Sequence, residues 1–393
     1  MDSRNHWLLP KGVEEILPSE AWLIDQYQRQ ILDIYHSWGY ELVIPPLIEY
    51  QESLSAGLGA DLDLLSFKLT DQMSGRTLAV RADITPQAAR IDAHSWAQEG
   101  PTRLCYSGTV LHTRPKTELS SRTPLQIGAE LYGSNAIESD LEVILLMLKS
   151  IEAAQIQQIT LDLGQVALYR ELVELIDFDE HQQAALFDAF SRKAEAEIAV
   201  LLAACDNQLI AETLLGLLAL HGDEQVVYQA KTRFAEGPQN IVNAIDELIQ
   251  VVEAVRLRYP EVNIHIDLAE VRGYQYHTGL IFATYIDSVP QPVASGGRYD
   301  GIGELYGRKR PATGFTIDVN SIVHFLKQGD TQLLVLAPSI MVEDEALTAL
   351  IKDLRQQGFR VVHAVEGSQK LAHCARFIEN NDGHWQVIDR KNP

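Results

Sequence analysis

The sequence predicts an α+β protein: a sheet core interrupted by a helical insertion and followed by a short C-terminal α/β domain. Three observations carry that expectation. Segments of period-two alternation, such as residues 125–132, occur on both sides of the middle of the chain. Between about 165 and 259 that pattern gives way to Leu-, Ala- and Ile-rich segments of helical length. After Lys327-Gln328-Gly329-Asp330, which has the composition of a linker, an apolar strand, a helix and a second strand follow as in a βαβ unit. The expected domains are a core from 1–164 and 260–326, an insertion from 165–259, and a small domain from 331–393.

The elements follow in chain order. Ser19 can N-cap a helix to about Trp38, with Leu23, Tyr27, Ile31 and Ile34 as its apolar stripe and Gly39 as its stop. Residues 40–44 read as a strand ended by Pro45-Pro46. Strands are expected at 77–80 and 103–112. Residues 125–132 put Leu125, Ile127, Ala129 and Leu131 on one face and Gln126, Gly128, Glu130 and Tyr132 on the other. Ser139-Asp140-Leu141-Glu142 has the spacing of a capping box, opening a helix to about Ala154. Ile159, Leu161 and Leu163 mark a half-buried strand. Beyond the insertion, strands are expected around Ile264–Leu268, at 278–285 and at 312–317, with turns at Gly296-Gly297 and Gly301. In the last segment they are expected at 333–337 and 359–364, flanking a helix from 342 to 357.

Composition narrows the function. Hydrophobic residues make up 46% of the chain, enough for real cores. Cys105, Cys205 and Cys374 are scattered without a CxxC pair, which argues against a disulfide framework or zinc site and suits a reducing, cytoplasmic compartment. No apolar run approaches the roughly 18–20 residues of a membrane span, and the first residues lack the pattern of a signal peptide. The net charge is −22, from 54 acidic and 32 basic side chains. Such a chain repels a polyanion, because nucleic-acid affinity rests on Lys and Arg meeting phosphates. The densest basic cluster, Arg308-Lys309-Arg310, reads as a solvated turn.

Polar residues suggest a pocket. Gln126, Gly128 and Glu130 share a strand face, and the glycine leaves room for a ligand to approach the backbone. A plain solvent-facing sheet surface fits the same pattern. If residues 81–85 are extended, Asp83 and Thr85 also share a face. Asp83 and Glu130 could then present two carboxylates to a ligand bearing an ammonium group and a ring N–H. Arg272-Gly273-Tyr274-Gln275-Tyr276-His277 combines a guanidinium, which can grip a carboxylate, with aromatic walls. A glycine turn before an edge strand accounts for the same residues. Gly296-Gly297-Arg298-Tyr299-Asp300-Gly301 is turn-rich: it could cradle a ligand, though a hairpin turn is the commoner reading. No ligand cluster at metal spacing, Walker loop, GxSxG elbow or HExxH motif is present, so no cofactor or metal is expected.

Four blocks carry a resemblance to histidyl-tRNA synthetase, a class II synthetase, from about Lys11 to about Asn320. Arg81-Ala82-Asp83-Ile84-Thr85-Pro86 resembles its Arg-Pro-Glu-x-Thr-Pro block. Gln126 and Glu130 match its histidine-contacting glutamine and glutamate. Arg272-Gly273-x-x-Tyr276 and Ser295-Gly296-Gly297-Arg298-Tyr299-Asp300 match two further blocks. The resemblance implies a class II synthetase-like antiparallel sheet of six or seven strands flanked by helices, in a dimer. It also implies a reduced anticodon-binding-like C-terminal domain. By the same resemblance Asp83, Thr85, Gln126 and Glu130 hold the ammonium and ring nitrogens of histidine. Arg272 meets its carboxylate, and Tyr276 and His277 wall its ring. Asp83 is one methylene shorter than the family's glutamate, and His277 stands where tyrosine is usual.

Other departures fall on the nucleotide side. Motif 2 of the family reads Phe-Arg-x-Glu-Arg-Pro; here it is Val110-Leu111-His112-Thr113-Arg114-Pro115. Leu111 replaces the arginine for the α-phosphate and Thr113 the glutamate that meets adenine. At motif 3, Ser321 replaces the second phosphate-binding arginine and Asp318 stands where glycine made room for nucleotide. Losing one arginine at a transferring phosphoryl group costs about 10³–10⁵ in rate in a related chemistry. This profile is similar to that of the regulatory subunits of ATP phosphoribosyltransferase, which catalyses the first step of histidine biosynthesis. The resemblance implies a non-catalytic chain that joins a short-form catalytic subunit, typically as a homodimer within a hetero-octamer. It would activate that subunit and restrain it when L-histidine binds. A working synthetase, or an amino-acid-binding paralogue with another partner, are the alternatives that Leu111 and Ser321 help to separate.

Overall fold

Residues 7–55, 64–117, 120–271, 273–274, 276–287, 289–326, 334–365 and 376–389 are described in a computed structural model. The chain divides into two compact units, Met1–Leu326 and Lys327–Pro393.

The first helix, Pro18–Ser37, starts with proline in its first turn, where a missing N–H costs nothing, so Ser19 lies inside the helix and does not cap it. Ile24, Tyr27, Ile31 and Tyr35 form its buried stripe: Tyr27 and Ile31 are as expected, and Ile24 and Tyr35 take the places expected for Leu23 and Ile34. Gly39, at φ +84°, supplies the left-handed residue that ends it. The early strands are β1 (Glu41–Leu42), β2 (Ile48–Tyr50), β3 (Lys68–Thr70) and β4 (Thr77–Val80). The core strands are β5 (Thr102–Thr109), β6 (Leu125–Tyr132), β7 (Ile159–Gln165), β8 (His221–Asp223) and β9 (Asn263–Asp267). They are completed by β10 (Leu280–Ile286), β11 (Ala294–Arg298) and β12 (Ala312–Asp318).

Among the described residues these strands build a nine-stranded sheet in the order β1-β5-β6-β12-β11-β10-β7-β9-β8 and a small sheet, β2-β4-β3. The six strands from β5 to β7 in that order pair antiparallel throughout, as the resemblance implies. The sheet exceeds the expected six or seven strands because edge strands add on: β1 pairs parallel with β5, and β9 parallel with β7. β8 comes from within the helical insertion, where a polar break was expected, and pairs with β9. The 137–153 helix buries Val143, Ile144, Met147, Leu148 and Ile151. Edge-to-face packing of Tyr35 on Phe315, at 5.9 Å, joins the first helix to β12. The other face of β6 and β12 is thereby left to the polar side chains.

Four local expectations fail for physical reasons. The 137–153 helix begins at Ile137 and Ser139 makes no capping bond, because Asp140 is drawn inward to Arg298 and Glu142 to Arg103. Residues 81–85 are not extended: a six-residue helix starts at Thr85, and Asp83 Oδ1 accepts from Thr85 N at 2.9 Å. Gly296-Gly297 lie within β11, not in a turn. Arg310 is buried and donates to Asp92 at 2.9 Å, so the basic cluster is no solvated turn.

Between β7 and β9 run helices at 166–173, 180–191, 195–202, 208–217, 225–233 and 239–258. In the second unit, β13 (Leu334–Ala337) pairs parallel with both β14 (Arg360–His363) and β15 (Arg376–Asn381). β16 (His384–Asp389) closes an unforeseen hairpin with β15. The helix Glu345–Gln356 is capped by Asp344, which accepts from Leu347 N at 3.0 Å, and buries Leu347, Ile351 and Leu354. The expected linker at 327–330 lies outside the described residues.

Candidate functional site

Register brings the polar residues together. On β6, Gln126, Gly128 and Glu130 face the same way; across β12 they sit opposite Asp318, Thr316 and Gly314, and across β5 Tyr106 lies opposite Gly128. The face is not solvated: Gln126 and Glu130 are buried. They line a cavity of about 460 Å³ together with Asp83, Thr85, Tyr276, His277 and Tyr299. Six of the seven proposed histidine-binding residues therefore share one cavity. Arg272 lies outside the described residues.

Glu130 forms the floor. Tyr106 Oη donates to its Oε1 at 2.9 Å, and Tyr299 Oη donates to Oε2. Tyr106 Oη also lies 3.1 Å from Thr85 Oγ1 and 3.0 Å from Thr316 Oγ1. Gly314 makes the placement possible, since a Cβ there would overlap the Glu130 carboxylate. Burial pushes the Glu130 carboxyl up to about 8, against the opposing pull of the hydrogen bonds from Tyr299 and Tyr106. At neutral pH the site thus holds a largely protonated acid, which a ligand cation or N–H donor would help to ionise.

The walls are aromatic. Tyr276 stacks on Tyr299 with centroids 5.0 Å apart and meets His277 edge to face at 5.1 Å. Among the described residues, Tyr276 Oη has no hydrogen-bond partner. Burial lowers His277 to about 4, so the ring is neutral at physiological pH. Its Nδ1 lies 3.3 Å from the Arg298 carbonyl. Gly273, at φ +70°, gives the turn that brings these rings in, and a Cβ there would lie 2.6 Å from His277 Cδ2. Ile84 N donates to Gln126 Oε1 at 3.3 Å in a buried bond, which ties the Asp83–Thr85 segment to β6.

The resemblance puts nucleotide near the Lys116, Gln291 and Asp318 side of the cavity, although Leu111, Thr113 and Ser321 are not among its lining residues. Leu111 is half-buried, and its N–H donates to the Arg81 carbonyl at 3.0 Å. Ser321 Oγ accepts from Gln291 Nε2 at 3.4 Å. Burial raises the Asp318 carboxyl, and its Oδ1 accepts from Asn320 N at 3.0 Å. Gln291 Oε1 also accepts from Thr117 and Ser120, drawing two loops together over this end. Among the described residues lining the cavity, Lys116 is the one Lys or Arg, against Asp83, Glu130 and Asp318. Such a lining favours cations and hydrogen-bond donors over a triphosphate.

Sequence reasoning gave no role to Tyr106 or Thr316 and did not single out Tyr299. Tyr106 and Thr316 become visible only with strand register, because they flank Gly128 from neighbouring strands. Tyr299 stood within a block read as a turn or a ligand cradle.

Comparison with known proteins follows the same division. Residues 12–322 match the family model described as histidyl-tRNA synthetase, and residues 332–388 match that described as the ATP phosphoribosyltransferase subunit HisZ C-terminal domain. The chain is 46% identical to the ATP phosphoribosyltransferase regulatory subunit of Thioalkalivibrio sulfidiphilus, over 99% of this chain and all of that one. It is 44% identical to the protein of the same name from Pseudomonas syringae pv. syringae, over 99% of both. Among solved structures, an ATP phosphoribosyltransferase regulatory subunit/histidyl-tRNA synthetase from Bacillus halodurans superposes with a TM-score of 0.79 at 26% identity, covering 91% of this chain and 92% of that one. Histidyl-tRNA synthetase from Nostoc shares the fold, with a TM-score of 0.75 at 20% identity over 98% and 97% of the two chains.

Proposed function

This chain belongs to the ATP phosphoribosyltransferase regulatory subunits, a histidyl-tRNA synthetase-like family, and from that premise we propose that it is a non-catalytic, histidine-sensing partner of a short-form transferase subunit. In this reading the free subunit activates its partner. With histidine bound it restrains the first step of histidine biosynthesis. The working assembly is a homodimer of this chain within a hetero-octamer in the cytoplasm.

The observation that carries the reading is the contrast between the two ends of one cavity. At one end, Glu130 with Tyr106, Tyr299, Tyr276 and His277 suits an imidazole and its N–H. Asp83, Thr85 and Gln126 stand ready for the ammonium group, and Arg272 is proposed for the carboxylate. At the other end Asp318 adds a carboxyl to the lining, and Leu111, Thr113 and Ser321, which do not line the cavity, bring no guanidinium to its Gln291 and Asp318 side. A phosphoryl-transfer site needs positive charge aimed at the phosphates. The amino-acid half is thus equipped and the nucleotide half is not, which favours sensing over adenylate formation.

Histidine can act only through differential affinity for two arrangements of the complex. Calorimetric titration with L-histidine, paired with histidine-dependent ATP–pyrophosphate exchange, tests the reading. Binding without exchange is expected. Robust exchange would restore the synthetase alternative, and failure to bind histidine would remove the sensing role.

A further inference from the structure

The second unit carries a groove of its own, of about 530 Å³. Ile340 and Val342 follow the carboxyl end of β13, His363 ends β14, and Leu347, Ile351, Lys352 and Arg355 come from the 345–356 helix. Leu347 and Ile351 are buried and form the floor. Ile340 and Val342, 70% and 41% exposed, form an apolar lip, and Met341 beside them is 83% exposed. Lys352 and Arg355 are exposed on the helix, and Arg355 also donates to the Val361 carbonyl at 3.0 Å. The order β14-β13-β15, all parallel, makes β13 the point where the chain reverses its direction of winding, and ligands of open α/β sheets gather at the carboxyl ends of such strands.

Length and charge limit the occupant. From Thr348 to Arg355 the helix side of the groove runs about two turns, on the order of 10 Å, which suits a peptide segment better than a single ion. Residues 327–393 hold eight Lys or Arg against nine Asp or Glu, a net −1, while the whole chain carries −22. This unit is therefore where an acidic partner meets the least repulsion. It is also the segment matched by the model described as the HisZ C-terminal domain, whereas residues 12–322 match the synthetase model, so this unit is what sets the chain apart from a synthetase.

We infer that this groove docks a segment of the transferase catalytic subunit that combines apolar side chains with carboxylates. The inference rests on the proposed partnership. Apolar side chains would cover Leu347 and Ile351 under the Ile340–Val342 lip, and carboxylates would meet Lys352, Arg355 and, when protonated, His363.

The test uses the full-length chain, the purified short-form transferase subunit and sedimentation or interferometry. Ile340→Asp and Lys352→Glu alter exposed residues, so the fold should survive, and unchanged L-histidine affinity serves as the control. Each is expected to weaken the complex about tenfold or more, Lys352→Arg to keep it, and added salt to slow wild-type association. Complexes as tight as wild type with both disruptive variants would overturn the inference while leaving the partnership intact. A wild-type chain that fails to bind the subunit at all would overturn both.

Discussion

Glu130 illustrates at the level of one residue how a binding group is held at a cost. The unfolded carboxyl titrates near 4.5 and the folded one near 8. Between those values the folded chain keeps a proton that the unfolded chain has released, so stability falls as pH rises through that window. Glu130→Gln removes the penalty, and the melting temperature at pH 8 should rise, by an amount equivalent to on the order of a few kcal/mol. The same variant should lose histidine binding by about a hundredfold or more, since a charge-assisted bond disappears. A lower melting temperature or unchanged affinity would contradict the assignment. A second consequence concerns protons: a ligand that ionises Glu130 releases one. Titrations near pH 7 in buffers of different ionisation enthalpy should report net release approaching one proton per histidine bound. Zero release would mean that Glu130 stays protonated in the complex.

Elements position that residue, and their interdependence is testable at the Asp140–Arg298 pair. Arg298 Nη2 lies 2.6 Å from Asp140 Oδ2, joining the end of β11 to the 137–153 helix just behind His277. Both side chains are buried. Asp140→Asn should cost up to about 3–5 kcal/mol in urea unfolding, because the buried guanidinium loses its short carboxylate pair and keeps only the longer one with Asp300, at 3.4 Å. An apolar replacement of both partners should cost less. Equal losses would show that the pair is not what orders this corner. This corner also marks the limit of what the sequence makes legible. Strand existence and the polar face of β6 follow from period-two alternation, and the parallel βαβ of the second unit from its apolar pattern. The failed capping box at Ser139 and the helix at Thr85 do not. There, long-range partners such as Arg298, or a local turn closed by Asp83, override the short-range signal. Tyr106 reaches the site only through its register with Gly128, which no single-strand pattern contains.

On the scale of the whole molecule, charge and cavity point the same way. A chain at −22 whose cavity offers, among the described residues, one lysine against three carboxyls has little to attract a polyanion. Histidine tRNA should not be retained in a gel-shift assay at physiological salt, and strong retention would reopen the synthetase alternative. The central claim is that this chain couples histidine to a transferase it does not itself perform. The most direct measurement is the ATP phosphoribosyltransferase rate of a short-form catalytic subunit from the same source, with and without this chain, titrated with histidine. A rate that rises when the chain is added and falls again with histidine is the predicted result. A rate indifferent to the chain, or to histidine in its presence, would contradict the account.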